Sequence, residues 1–169
     1  AYSEALKAFR EDEVPIGAVI LHNDKVIGRG YNQVEQLKDS TAHAEIICIT
    51  SAANSLNDWR LNDASIYVTK EPCLMCFGAI INSRIKNIYY GFSDTENGFR
   101  SKLKNEKLLS TNHLKHIEGN ILEFDCKKIV EDFFISKSNL SSPSASSMVT
   151  SFPELIVRSN PASVPIVWL

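Results

Sequence analysis

The apolar positions of this chain change their period several times, and each change marks an element. In residues 1–11 (AYSEALKAFRE), Ala5, Leu6 and Phe9 fall on one side of a 3.6-residue repeat, which predicts a short amphipathic helix. Residues 16–21 form a continuous apolar run, as a buried strand does. His22, Asn23, Asp24 and Lys25 supply turn residues, and residues 26–31 (VIGRGY) return as the partner strand. A polar loop over 32–41 leads into an apolar helix from about residue 42 to 56. Residues 64–69 (ASIYVT) read as a third strand, and Pro72, favoured in a first helical turn, opens a helix to about Asn82. A fourth strand covers 85–90, a polar loop 93–113, a short fifth strand 114–118 and a last helix 125–137, with Ile129, Val130, Phe133 and Phe134 facing inward. Strands alternating with helices argue for an α/β sandwich whose later strands run parallel.

Composition adds a boundary. From Ser138 the chain turns serine-rich, with three prolines in 138–163 and a fourth at Pro165. That composition belongs to a linker or a disordered segment, so the expected division is a domain over 1–137 and a tail over 138–169. The tail nevertheless ends on apolar Ile166, Val167, Trp168 and Leu169, to which we attach no function.

Apolar residues make up 44% of the chain, enough for one real core, and the net charge is -2. The charge is uneven. Residues 1–83 carry seven basic and eleven acidic side chains, whereas residues 84–137 carry ten and eight. An overall acidic protein can therefore still present a locally basic face. No apolar run approaches the roughly 20 residues needed to span a bilayer, and no export signal precedes Tyr2, so the expectation is a cytoplasmic protein with no membrane partner. In such a setting the four cysteines are metal ligands or buried thiols in preference to disulfides.

Two short stretches carry chemistry. The first, TAHAEI over 41–46, sets His43 and Glu45 at the mouth of the apolar helix. Residues two apart on a helix point about 200° from one another, so the pair cannot share the helix flank. Both can reach a point off the N-terminal end, toward which side chains lean. Glu45 is not a capping-box acid, because Ala42 stands where that motif needs Ser or Thr. The second stretch, EPCLMC over 71–76, puts Cys73 and Cys76 three apart on a first helical turn, where their sulfurs share a face. C-x-x-C alone suits zinc or redox work equally. Zinc requires a third ligand, and His43 is the candidate. Each helix start contributes roughly half a positive charge and unpaired N–H groups, which favours thiolates. Cys48 lies more than a turn inside its helix and Cys126 begins the last one, so both are expected to pack as small hydrophobes. His113 and His116 are not expected to hold a metal. A site with three protein ligands and one open position is catalytic in type: it activates water, and a carboxylate beside it moves the protons.

H-x-E followed by P-C-x-x-C is the zinc nucleobase deaminase signature. Beyond it, residues 1–135 resemble the bacterial tRNA adenosine deaminase family. The matching stretches are EVPIGAVI at 13–20, VIGRGYN at 26–32, TAHAEI at 41–46, LNDASIYVTKEPCLMCFGAI at 61–80, SRI at 83–85, and Asn112-His113 followed by EGNIL. The resemblance implies a three-layer α/β/α sandwich around a five-stranded mixed sheet, a homodimer, one zinc per chain, and conversion of the wobble adenosine of a tRNA anticodon, typically that of arginine tRNA, to inosine. It implies His43, Cys73 and Cys76 as zinc ligands, Glu45 as proton shuttle, and substrate contacts at Asn32, Ala44 and Asn112. The anticodon loop is single-stranded, so extruding its base costs little. Lys102, Lys104 and Lys107 are candidate backbone contacts. The chain departs from the family at Ser40, where proline is usual, at 97–101 (NGFRS), where small residues are usual, and in its serine-rich tail.

Three other readings share parts of this pattern. A free nucleobase or nucleotide deaminase acting on guanine, cytosine or dCMP would carry the same zinc motif, and an acidic net charge suits it. A silent RNA-binding relative with structural zinc would commonly lack the glutamate that is present here. A thiol redox protein would use Cys73 and Cys76 and leave His43 and Glu45 as coincidence.

Overall fold

A computed structural model describes residues 1–103 and 113–140. Five strands form one sheet: β1 (Gly17–His22), β2 (Lys25–Tyr31), β3 (Ser65–Lys70), β4 (Asn87–Phe92) and β5 (His116–Glu118), in the order β2-β1-β3-β4-β5. β1 is antiparallel to both β2 and β3, while β3, β4 and β5 run parallel. Six helices accompany them among the described residues: α1 (Tyr2–Arg10), α2 (Val34–Leu37), α3 (Ala44–Leu56), α4 (Leu74–Asn82), α5 (Phe99–Lys102) and α6 (Glu123–Leu140). α3 and α4 pack together on one face of the sheet, and α1 and α6 pack together on the sheet as well, giving the three-layer α/β/α arrangement with a mixed five-stranded sheet.

The core follows from strand register. Ile20, Ile66 and Ile88 stand side by side on β1, β3 and β4, as do Ala18, Val68 and Tyr90, and all six are buried. Ala44, Cys48 and Ala52 of α3 and Phe77 and Ile80 of α4 close over these rows. Each fully buried aliphatic side chain contributes about 1.5–3 kcal/mol. Small residues set the spacing between β2 and α3. Gly28 and Gly30 point to the same face, two residues apart, and a Cβ on Gly30 would lie 2.4 Å from the Ala44 carbonyl oxygen and 2.6 Å from the Cys48 nitrogen. The helix therefore rides directly on the strand backbone, which fixes where its N-terminus ends up.

The structure differs from the periodicity reading in local ways. Pro72 does not open α4; Cys73 is its N-cap, in an extended conformation, and the Pro72 carbonyl instead accepts from Phe99 N at 2.9 Å. Two four-residue helices, α2 and α5, sit within stretches read as loops, because one helical turn is too short to show a period. The fifth strand shortens to three residues, and the last helix extends at both ends.

The contact between β2 and α3 yields a prediction. Gly30→Ala forces the strand off the helix and costs about 1–3 kcal/mol, whereas Gly78→Ala, with nothing within 4 Å of the new methyl, is neutral or stabilising. Thermal denaturation of the two variants checks this, and an unchanged midpoint for Gly30→Ala would contradict the close packing.

Candidate metal centre

Strand direction brings the two motifs together. β2 and β3 are both antiparallel to β1, so they run the same way, and the helices that follow them, α3 and α4, start at the same edge of the sheet. His43 is the N-cap of α3 and Cys73 the N-cap of α4. Neither cap side chain bonds its own helix backbone. Both are thus left free to face each other, and the positive ends of two helices meet there.

The donors converge closely. Cys76 Sγ lies 3.4 Å and Cys73 Sγ 3.7 Å from His43 Nδ1. His43, Cys73 and Cys76 offer ligand atoms all within 4.8 Å of one another, and they are the one group of this kind among the described residues. Around a tetrahedral zinc, with Zn–N of about 2.0–2.1 Å and Zn–S of about 2.3 Å, nitrogen and sulfur ligands stand about 3.5 Å apart. The observed separations bracket that value, so this donor set fits such an ion.

Proton sharing within the cluster has the same sense. Cys73 is pulled down to about 4, first by the Cys76 thiol donating to it, with the His43 ring assisting. Cys76, the donor in that bond, is pushed up by it and then by burial. His43 is raised, chiefly by its hydrogen bond to Cys73. A ready thiolate is what a divalent cation requires, since ligands bind deprotonated.

Glu45 stands beside this group and outside it. It lies in the first turn of α3, only 4% exposed. Burial pushes its carboxyl up from the usual carboxylate range, offset by hydrogen bonds to its own backbone N–H and to the Cys76 thiol, and by the nearby His43 charge. A raised carboxyl beside a metal-binding cluster has the properties of a general base that must also release its proton.

The other residues singled out in the sequence fall as follows. Asn32 follows β2 directly and is buried, and the next residue ties back to the chain before His43, Gln33 N bonding Ala42 O at 3.0 Å. Ala44 opens α3 and is sealed, with Gly30 against its carbonyl. Asn112, Lys104 and Lys107 lie outside the described residues, and Lys102 is exposed on α5. Cys48 and Cys126 are buried and far from thiolate character, each pushed up by burial, Cys126 to about 11. His113 bonds the Ile81 carbonyl at 2.8 Å and His116 pairs with Glu118 at 3.0 Å, so neither joins the cluster.

Sequence reading missed two buried acids that flank the motifs. Glu71 accepts from Asp94 N at 3.0 Å and from Arg100 N at 2.9 Å, and a Cβ on Gly98 would lie 2.4 Å from its carboxyl carbon. With Lys70 pairing to Asp94 at 2.7 Å, and Phe99 stacked on Phe77 with centroids 4.3 Å apart, Glu71 ties residues 94–100 against Cys73. The departing NGFRS stretch is therefore a wall of this site. Glu13 bonds Asn32. Nothing local in the sequence marks either acid, since Glu13 follows Glu11 and Asp12 in a charged run and Glu71 follows Lys70.

A family model described as MafB19-like deaminase matches residues 1–138. A protein of Buchnera aphidicola subsp. Schizaphis graminum named tRNA-specific adenosine deaminase is 43% identical, the match covering 81% of this chain and 91% of that one. The chain belongs to the tRNA-specific adenosine deaminase family. A chloroplastic tRNA(adenine(34)) deaminase of Arabidopsis thaliana is 41% identical over 79% of this chain, which spans only 12% of that much longer protein. Among solved structures, one from a study of A-to-I editing by tRNA:A34 deaminases at the wobble position of transfer RNA is similar with a TM-score of 0.68 and 39% identity, covering 76% of this chain and 94% of that one. This family member has no helix among its described residues long and apolar enough to cross a membrane.

Metal analysis tests the cluster. The purified protein is expected to hold about one zinc per chain. Cys73→Ser and His43→Ala should each lose it, whereas Cys48→Ser should keep it. Acidification should release the metal, because protons compete for every donor. Full zinc in the His43→Ala protein would remove His43 from the ligand set.

Proposed function

We propose that this chain hydrolytically deaminates the wobble adenosine of a tRNA anticodon, that of arginine tRNA, to inosine, with one zinc held by His43, Cys73 and Cys76. The observation that carries the reading is the three-donor cluster with Glu45 buried alongside and no fourth protein donor among the described residues. The names of the relatives support the choice of substrate. Zinc at this position supplies the Lewis acidity that makes water a nucleophile at neutral pH.

Glu45 carries the protons. Both protons of the incoming water must leave its oxygen as that oxygen becomes the carbonyl of inosine. One finishes on the ring nitrogen next to the reacting carbon and the other on the departing amine, which leaves as ammonia. A single carboxyl that takes each proton and passes it on balances the reaction, and its elevated affinity for protons suits both halves. Asn32 is the proposed contact to the base, and Lys102 with Lys104 and Lys107 the proposed contacts to the RNA backbone. Ala44 is sealed at the first turn of α3, so the substrate role the resemblance gives it would need its backbone uncovered. Asn112 is proposed to meet the substrate backbone.

The same reading includes a homodimer, a cytoplasmic location, and a deaminase domain over 1–137 followed by an extension over 138–169. The dimer is supported by the start of α4, where apolar Leu74 and Met75 are 44% and 38% exposed next to the metal cluster.

The test sets an arginine tRNA anticodon stem-loop beside free guanine and free cytosine. Inosine in the RNA is expected, and it should disappear with a zinc chelator. Glu45→Gln should retain zinc and lower turnover about 10²–10⁴-fold. Deamination of a free base with the RNA untouched would move the assignment to a small-molecule deaminase.

A further inference from the structure

Glu13 is a buried acid that the chemistry above does not use. It lies between α1 and β1, is 2% exposed, and both of its carboxyl oxygens act as acceptors. Oε2 accepts from Asn32 Nδ2 at 3.0 Å, and Oε1 from the backbone N–H of Gln36 at 2.6 Å. Asn32 is 5% exposed, and its own backbone N–H donates to Ile16 O at 3.0 Å. The chain around Asn32 is therefore pinned on three sides, to the residue before β1, to Ala42 before His43, and to Glu13.

One atom of this arrangement is unused. Asn32 Oδ1 accepts no hydrogen bond from the described residues, yet no sealed side-chain oxygen or nitrogen there lacks a partner. Oδ1 is consequently not sealed and can accept from an incoming group. A primary amide has two chemically opposite ends, and nothing intrinsic to Asn32 decides which faces the opening. A carboxylate can only accept. By engaging the NH₂ end, Glu13 turns the carbonyl end outward.

We propose that Glu13 is a positioning residue that sets the polarity of Asn32, so that the site presents a hydrogen-bond acceptor there and selects a substrate with an N–H or O–H donor at that point. The inference rests on the deaminase reading, with Asn32 lining the substrate site. Charge explains why the acid is needed. An amide at position 13 would have to give its carbonyl to Gln36 N, leave its NH₂ facing Asn32, and so force Asn32 to reverse.

The experiment is a double-variant cycle on the full zinc-loaded chain, with the anticodon stem-loop as substrate. Glu13→Gln changes almost no volume. It is expected to lower kcat/KM about 10- to 100-fold, with zinc content and thermal midpoint retained. In the Glu45→Gln background, where turnover is suppressed, it should weaken stem-loop binding by a similar factor. Adding Asn32→Asp restores an acceptor both toward the new amide at position 13 and toward the opening, and should recover most of the loss. Should Glu13→Gln fail to fold, the comparison becomes Asn32→Asp, which sets two carboxylates face to face, against the double variant, and the double variant must be the more stable and the more active. Wild-type kcat/KM in Glu13→Gln, or a double variant no better than its parent, overturns the inference while leaving the deaminase reading intact. A wild-type protein that makes no inosine overturns both.

Discussion

Everything at the active edge depends on one constraint of strand direction. Because β1 is antiparallel to both of its neighbours, β2 and β3 point the same way. The chain leaves each of them into a helix, so two helix N-termini open side by side. Gly28 and Gly30 let α3 lie directly on β2, and the stack of Phe77 on Phe99 holds α4 against the segment that follows β4. His43 and Cys73, thirty residues apart in sequence, become caps of adjacent helices whose side chains serve each other and not their own backbones.

The buried acids divide by what they accept. Glu71 and Glu13 each take two N–H donors, so their oxygens are occupied in holding loop 94–100 and the Asn32 amide. Burying a carboxyl is costly unless such donors satisfy it. Glu45 has only its own N–H and a thiol, and burial dominates its proton affinity. The first two spend their oxygens on N–H donors from other parts of the chain, while the Glu45 carboxyl is held up by burial. The same residue type thus meets two different environments close to the motifs, and local hydrogen bonding separates them.

The pattern of apolar positions exposed the strands and the long helices, because a period needs several residues to register and those elements have them. α2 and α5 are one turn long and left no period. The start of α4 was misplaced by two residues because Pro72 is compatible with a first turn, yet its carbonyl is claimed by Phe99 from across the fold. The cluster of His43, Cys73 and Cys76 was legible since donor type and spacing encode metal chemistry directly. Glu13 and Glu71 were not, because their partners lie 19 to 29 residues away and only folding brings them near. Asn112 falls outside the described residues, and its role stays a proposal.

The most direct test of the central claim is zinc-edge X-ray absorption on the purified, active chain. Two helix caps and one first-turn cysteine around one ion predict two sulfur scatterers at about 2.3 Å and two nitrogen or oxygen scatterers at about 2.0–2.1 Å, one of the latter with the outer-shell pattern of an imidazole. A shell of four sulfurs, or one with no imidazole, would contradict the account.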